Sequence, residues 1–205
     1  MALKRQPTAE DQRLAQARSA AANLAELGPA FDAAIRAEIH GQTDTTTDAI
    51  LTTFFRVLQP LLDRMAEHSI CRPGCNFCCH QPVSVTEYEA ELIGNAIGEK
   101  PQRFKKNQIG KHRSAAFKTP CHFLKDGACS IYAVRPMACR THFSAEEDAR
   151  WCDMSTGRHT VAYFGKAPLE ARFINLLLSF QVARFGQPKT PHFQDIRQWF
   201  PKSGR

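Results

Sequence analysis

No stretch of 18 apolar residues occurs in the 205-residue chain, so the sequence offers no membrane-spanning helix. The opening MALKRQPTAEDQ has two basic residues but no apolar run behind them, which argues against a secretory leader and sets the expectation of a cytoplasmic protein. Patterns of hydrolytic chemistry are also missing: there is no Ser/His/Asp arrangement, no paired-carboxylate motif and no glycine loop for phosphate. No catalytic residue is therefore assigned. Repeats and low-complexity tracts are absent. A hydrophobic content of 43% and a charged content of 23% exclude wholesale disorder.

Cysteine is absent from the first 70 residues; all eight cysteines follow, from Cys71 to Cys152. In a reducing cytosol structural disulfides are rare, so clustered cysteines read as metal ligands or redox groups. Charge divides at the same place. Residues 1–70 hold 7 basic and 9 acidic groups, net −2, whereas 71–205 hold 20 basic and 11 acidic, net +9. Thiolates on a metal leave an anionic centre that nearby Arg or Lys would help to hold.

The flanks read as helices. An alanine-rich segment with Leu14, Ala17, Ala21 and Leu24 on one face stops at Gly28; a second helix opens at Pro29 and carries Phe31, Ile35 and Ile39 to Gly41. Thr47 to Glu67 repeats Ile50, Phe54, Val57, Leu58, Leu61, Leu62 and Met65 at helical spacing, with Pro60 expected to kink it. QPVSV is extended, and Thr86 with Glu89 forms a capping-box pattern opening a helix that ends at Gly98. From Lys100 to Lys118 there are seven Lys or Arg and no acid. That run is read as a solvated face; with only Phe104 and Phe117 as stacking groups it points away from nucleic acid. CHFL and ACSIY, separated by Lys125-Asp126-Gly127, read as a hairpin, and Ala133 to Arg140 as a short helix. Pro168 opens an apolar helix to Gly186, and Phe193, Ile196, Trp199 and Phe200 close the chain as packing residues.

Cysteine spacing carries the chemistry: Cys71-x3-Cys75-x2-Cys78-Cys79, then Cys121-x7-Cys129-x9-Cys139, then Cys152. Two residues between Cys75 and Cys78 let the backbone turn so that both sulfurs face one ion. A tetrahedral zinc site takes four ligands, as does a cubane iron–sulfur cluster, so eight cysteines serve two sites or one site with spare thiols. Adjacent Cys78 and Cys79 point to opposite faces of a strand or diverge by about 100° in a helix. They favour different metals, or one ligand and one free thiol. A helical turn beginning near Cys75 would align Cys75, Cys78 and Cys79. His80, His122 and His142 each stand within three residues of a cysteine and are alternates; Arg72, Arg135 and Arg140 are candidates for charge compensation.

Together CRPGCNFCCH and CHFLKDGACSIYAVRPMACR resemble the YkgJ-type cysteine-cluster proteins, a family with a CxxCxxCC signature to which zinc or iron chelation is ascribed. The likeness covers about 71–140, with Cys152 as an outlier of the same set. Two departures stand out: Cys71-x3-Cys75 is wider than the family's first spacing, and His122 replaces a common proline. The resemblance implies metal ligands drawn from Cys71, Cys75, Cys78, Cys79, Cys121, Cys129 and Cys139. It also implies supporting roles for Arg135, as a donor to sulfur or backbone, and for Tyr132, packing the hairpin onto the helix. Flagellin lysine methylases share such clusters but are much longer, and no methyltransferase activity is carried over.

The expected fold is mainly α with a small β-hairpin, a cysteine-rich metal-stabilised core flanked by helices. Its divisions are an N-terminal helical region over 1–69, a cysteine-cluster domain over 70–153 and a C-terminal helical region over 154–205. The expected function is chelation of zinc or iron, with an iron–sulfur cluster in electron transfer or catalysis as the alternative, and a metal ion as the partner.

Overall fold

The computed structural model describes residues 28–39, 41–105, 119–146, 148–153 and 166–201, with the backbone alone at 166–168, and Thr8, Asp11, Gln12 and Ala15. The helix expected over the first 28 residues and most of the basic run to Lys118 lie outside these residues.

Among the described residues the chain is mainly α, with two small antiparallel sheets. Helix α1 (28–39) precedes α2 (Thr47–Glu67), whose N-cap Thr46 accepts from the Ala49 amide. Pro60 lies inside α2 without ending it. Pro60 and Arg56, whose carbonyl loses its helical donor, are both exposed, so water can take that donor's place. The buried face of α2 is wider than the sequence stripe, taking in Leu51 and Phe55 as well, because several elements pack on it. Phe31 of α1, Met137 and Phe143, and Leu169, Phe173 and Leu177 of helix α5 (Lys166–Phe185) share one apolar cluster with α2. Phe173 stacks on Phe55 with ring centroids 5.9 Å apart. Helix α5 starts at Lys166, two residues ahead of Pro168, which sits in the first turn where its missing N–H costs nothing.

A second apolar cluster forms around strand β1 (Ser84–Thr86) and helix α3 (Glu87–Ile97). The capping box of Thr86 and Glu89 is complete, and Gly98 caps the far end of α3. The β-hairpin, β2 (Leu124–Lys125) and β3 (Ala128–Cys129), turns at Asp126 and Gly127, with φ of 49° and 78°. Two consecutive positive φ values match the twist of paired strands, and Asp-Gly supplies them with little strain.

The other sheet joins distant parts of the chain. Strand β4 (Phe193–Asp195) pairs with β1 in the register Ser84↔Asp195, Val85↔Gln194, Thr86↔Phe193. Helix α6 (Ile196–Trp199) follows directly, and Trp199, 2% exposed, donates its indole N–H to the Val85 carbonyl at 3.0 Å. The C-terminal segment is thus built into the second core, next to the cysteines.

Candidate metal centre

The first cysteine run reaches its place through a 3₁₀ turn over Phe77–His80, not an α-helical turn starting at Cys75. Asn76, just ahead of it, has φ −127° and is outside the helical region. At three residues per turn, neighbours in a 3₁₀ helix point about 120° apart. Cys78 and Cys79 therefore leave the backbone in different directions, and the expected alignment of Cys75, Cys78 and Cys79 on one helical face does not form.

The Cys121 amide donates to the Cys79 carbonyl at 2.7 Å, fixing the start of the hairpin against the 3₁₀ turn. Hairpin pairing sets Cys129 opposite Leu124. Cys139 comes from helix α4 (Met137–Arg140), whose N-cap is Pro136. Glu89 holds that helix in place: its carboxylate accepts from the Thr86 amide at 2.9 Å, the Thr86 hydroxyl at 2.8 Å and the Met137 amide at 2.7 Å. Cys121, Cys129 and Cys139 all pack against the second apolar cluster.

Cys71 and Cys152 lie elsewhere. Cys71 packs against the first cluster; its sulfur accepts from the Ser144 amide at 3.4 Å, and its thiol points to the His142 carbonyl at 3.8 Å. Cys152, 7% exposed, ends a 3₁₀ turn over Ala149–Cys152 that packs against the turn carrying Cys78 and Cys79.

A cavity of about 720 Å³ opens among these elements, lined by Cys75, Cys78, Cys79, Cys121, Cys129 and Cys139. All eight cysteines are free thiols. Burial raises the thiol pKa of Cys75, Cys121, Cys129, Cys139 and Cys152. Cys79 runs the other way, lowered by the Cys78 thiol that donates to it and by the charge of Arg197; the same bond, with burial, raises Cys78. Among the described residues no group of three or more His, Cys, Asp or Glu side chains is already arranged to hold a metal ion. Six cysteines line one space without forming a ready-made ligand group. Structural thiolate sites release about 10–16 kcal/mol on binding zinc, enough to offset a local rearrangement.

The donor set fits zinc or iron, both served by soft thiolates. A second observation concerns Arg135. Its guanidinium lies 3.9 Å over the Tyr132 ring and lines the cavity, yet its Nε is buried with no hydrogen-bond partner among the described residues. A buried donor without an acceptor is costly, and a thiolate or sulfide in this cavity would satisfy it. Tyr132 itself is 55% exposed. It is a platform for Arg135 and not the packing residue expected between hairpin and helix.

The other polar candidates separate clearly. Arg140 donates to the carbonyls of Arg135 (2.8 Å) and Ala133 (2.6 Å) and lies over the Phe55 ring, so it braces α4 against the first core. Arg72 is exposed at the cavity rim. His122 turns its Nδ1 to the Phe200 carbonyl at 2.7 Å, and His80 contacts the Asn76 carbonyl at 3.3 Å. His142 lines the cavity.

Sequence reasoning missed Arg197. From α6, 8% exposed, its Nη2 donates to the carbonyls of Cys79 at 3.0 Å and Thr119 at 2.7 Å. Its Nη1 holds both oxygens of buried Asp195, at 3.1 and 3.2 Å. Asp195 Oδ2 also accepts from the Val83 amide at 2.8 Å. Only the Asp-x-Arg pattern at a capped helix start hinted at this clamp.

Fold and site together define a cysteine-rich protein of mainly helical build, with six of its eight thiols lining one cavity. Residues 70–155 match the family described as "CxxCxxCC: Putative zinc- or iron-chelating domain". No curated protein and no solved structure matches the chain. Among the described residues no helix is long and apolar enough to cross a membrane.

Proposed function

We propose that the cysteine-lined cavity binds zinc or iron through thiolates drawn from Cys71, Cys75, Cys78, Cys79, Cys121, Cys129, Cys139 and Cys152, and that the metal ties together separated stretches of chain. The observation that carries the reading is the cavity wall, where six cysteines and the orphaned Arg135 Nε share one space. All-thiolate coordination leaves no open position for water, the pattern of a metal that serves folding. A cytoplasmic setting, which keeps thiols reduced, accords with eight free cysteines. The division at 1–69, 70–153 and 154–205 belongs to the same proposal, with the last region framing the site through Asp195 and Arg197.

Cavity size favours a second reading, an iron–sulfur cluster. A single ion needs space on the order of one water, roughly 10–15 Å³ on a comparable measure, far below the 720 Å³ present. Inorganic sulfide and several irons would use more of it, and Arg135 would donate to a cluster sulfur. Anaerobic purification followed by elemental analysis and a visible spectrum separates the two. Zinc and no colour support the first reading; iron, acid-labile sulfide and a brown absorbance support the second. Protein that binds neither metal after thiol reduction overturns both. Cys75→Ser and Cys139→Ser are each expected to lower metal content; unchanged stoichiometry in either removes that residue from the ligands.

A further inference from the structure

We propose that the cysteine-lined cavity also receives a small organic carboxylate, whose two oxygens are held by the Arg135 guanidinium. The proposal concerns the same cavity as the chelation argued above and goes beyond it, without depending on which metal is held.

The first observation is size together with lining. The cavity's 720 Å³ falls within the roughly 300–1,000 Å³ typical of small-molecule sites. Its wall reaches well beyond the cysteines, because the buried side chains of Val83, Ile131, Pro136 and Ile196 line the same space. Thiolate chelation has no use for an apolar wall. The carbon skeleton of an organic ligand would cover it, leaving a few polar groups to fix orientation.

Arg135 supplies the polar end. A 3₁₀ turn over Tyr132–Val134 brings side chains three residues apart to one side, and the Arg135 guanidinium lies 3.9 Å over the Tyr132 ring. The backbone is pinned as well, since the Arg135 carbonyl accepts from Arg140 Nε at 2.8 Å. The ring covers a face of the guanidinium and leaves its N–H edges, and the buried Nε has no hydrogen-bond partner among the described residues. The Nε edge of a guanidinium carries two parallel N–H groups spaced for the two oxygens of a carboxylate. A single sulfur would meet only one of them. Charge agrees with this reading. The charged side chains on the wall are Arg72, Arg135, Glu170 and Asp195, and Asp195 is already paired with Arg197. Arg72 and Arg135 therefore outweigh Glu170.

The test uses the full chain, reduced, in metal-free and zinc-loaded forms, with binding followed by titration calorimetry. The probes are hexanoate and benzoate, each paired with its uncharged amide, hexanamide or benzamide. At least one carboxylate is expected to bind in one or both forms, about tenfold or more tighter than the matching amide, a comparison that needs no variant. Arg135→Gln should weaken that binding about ten- to a hundredfold, as the loss of charged hydrogen bonds requires. Arg135→Lys keeps the charge without the fork and should recover little of it. Circular dichroism checks that both variants keep the parent fold. Absence of carboxylate binding from both forms overturns the proposal. So does an amide that binds as tightly as its acid, or parental affinity in either Arg135 variant. Zinc uptake, measured separately, bears on the chelation alone, and carboxylate binding by a chain that takes up no metal supports the present proposal while overturning that one.

Discussion

Replacing Arg197 with Met tests whether the C-terminal clamp holds the site together. Met keeps the length and apolar stem but removes every donor of the guanidinium. The carbonyls of Cys79 and Thr119 would lose charged donors at 3.0 and 2.7 Å, and the carbonyl of Pro120 a weaker one at 3.4 Å. Asp195, 7% exposed, would keep its carboxylate with no cation beside it. Breaking a buried ion pair from one side costs about 3–5 kcal/mol, because the remaining charge stays desolvated. The Val83 and Arg197 amides still donate to Asp195 and moderate that cost, and the Cys79 carbonyl keeps the Cys121 amide. A net loss of about 3–5 kcal/mol is a large share of the 5–15 kcal/mol that stabilises a typical domain. Arg197→Lys keeps the charge without the fork and should fall between. In the double variant Asp195→Asn with Arg197→Met, neutralising the carboxylate should recover part of the loss, a coupling of about 0.5–3 kcal/mol. Urea unfolding of metal-loaded protein, followed by circular dichroism, measures each value. An Arg197→Met loss below about 1 kcal/mol, the level of an exposed ion pair, would refute the clamp, as would strict additivity in the double variant.

Glu89→Gln leaves one accepting oxygen where the carboxylate has two, so its N–H₂ faces either the Met137 amide or, at the cost of the capping box, the Thr86 donors; a loss of about 1–3 kcal/mol is expected by urea unfolding, with Glu89→Ala losing more. At Gly94 an added Cβ would stand 2.4 Å from the Glu99 carbonyl oxygen and 2.9 Å from the Pro101 ring. Gly94→Ala should therefore lower stability by about 1–3 kcal/mol despite its better helix propensity; a thermal midpoint equal to or above the parent would contradict the close approach. Removing metal with a strong chelator should lower the unfolding midpoint, because metal bound only by the folded chain adds its binding energy to folding. Identical denaturation curves with and without metal would count against a folding role.

Several features were legible because their causes are local. Thr86 and Glu89 are three residues apart, and their capping box follows from helix geometry alone. Asp126-Gly127 supplies the two positive φ values that the hairpin needs. The α2 stripe announces a buried face, although only the tertiary structure shows that Leu51 and Phe55 are buried too. At the site, the cysteine spacing identifies thiolate chemistry, and Arg135 is marked by its place between Cys129 and Cys139. Arg140 looked equivalent, yet it points to the backbone of Ala133 and Arg135 and to Phe55. Nothing in its neighbours along the chain distinguishes the two arginines; their position relative to α2 does.

The sequence by itself determined the thiols, eight of them confined to 71–152, and the Asp126-Gly127 turn of the hairpin that carries Cys129, since turn chemistry acts over three or four residues. The tertiary structure decided the grouping. It paired β1 with β4 across more than a hundred residues, brought Arg197 to the Cys79 carbonyl and set Cys71 and Cys139 against different apolar clusters. Those outcomes depend on burying two apolar surfaces at once, a condition set by the whole chain, and no short stretch of residues encodes it.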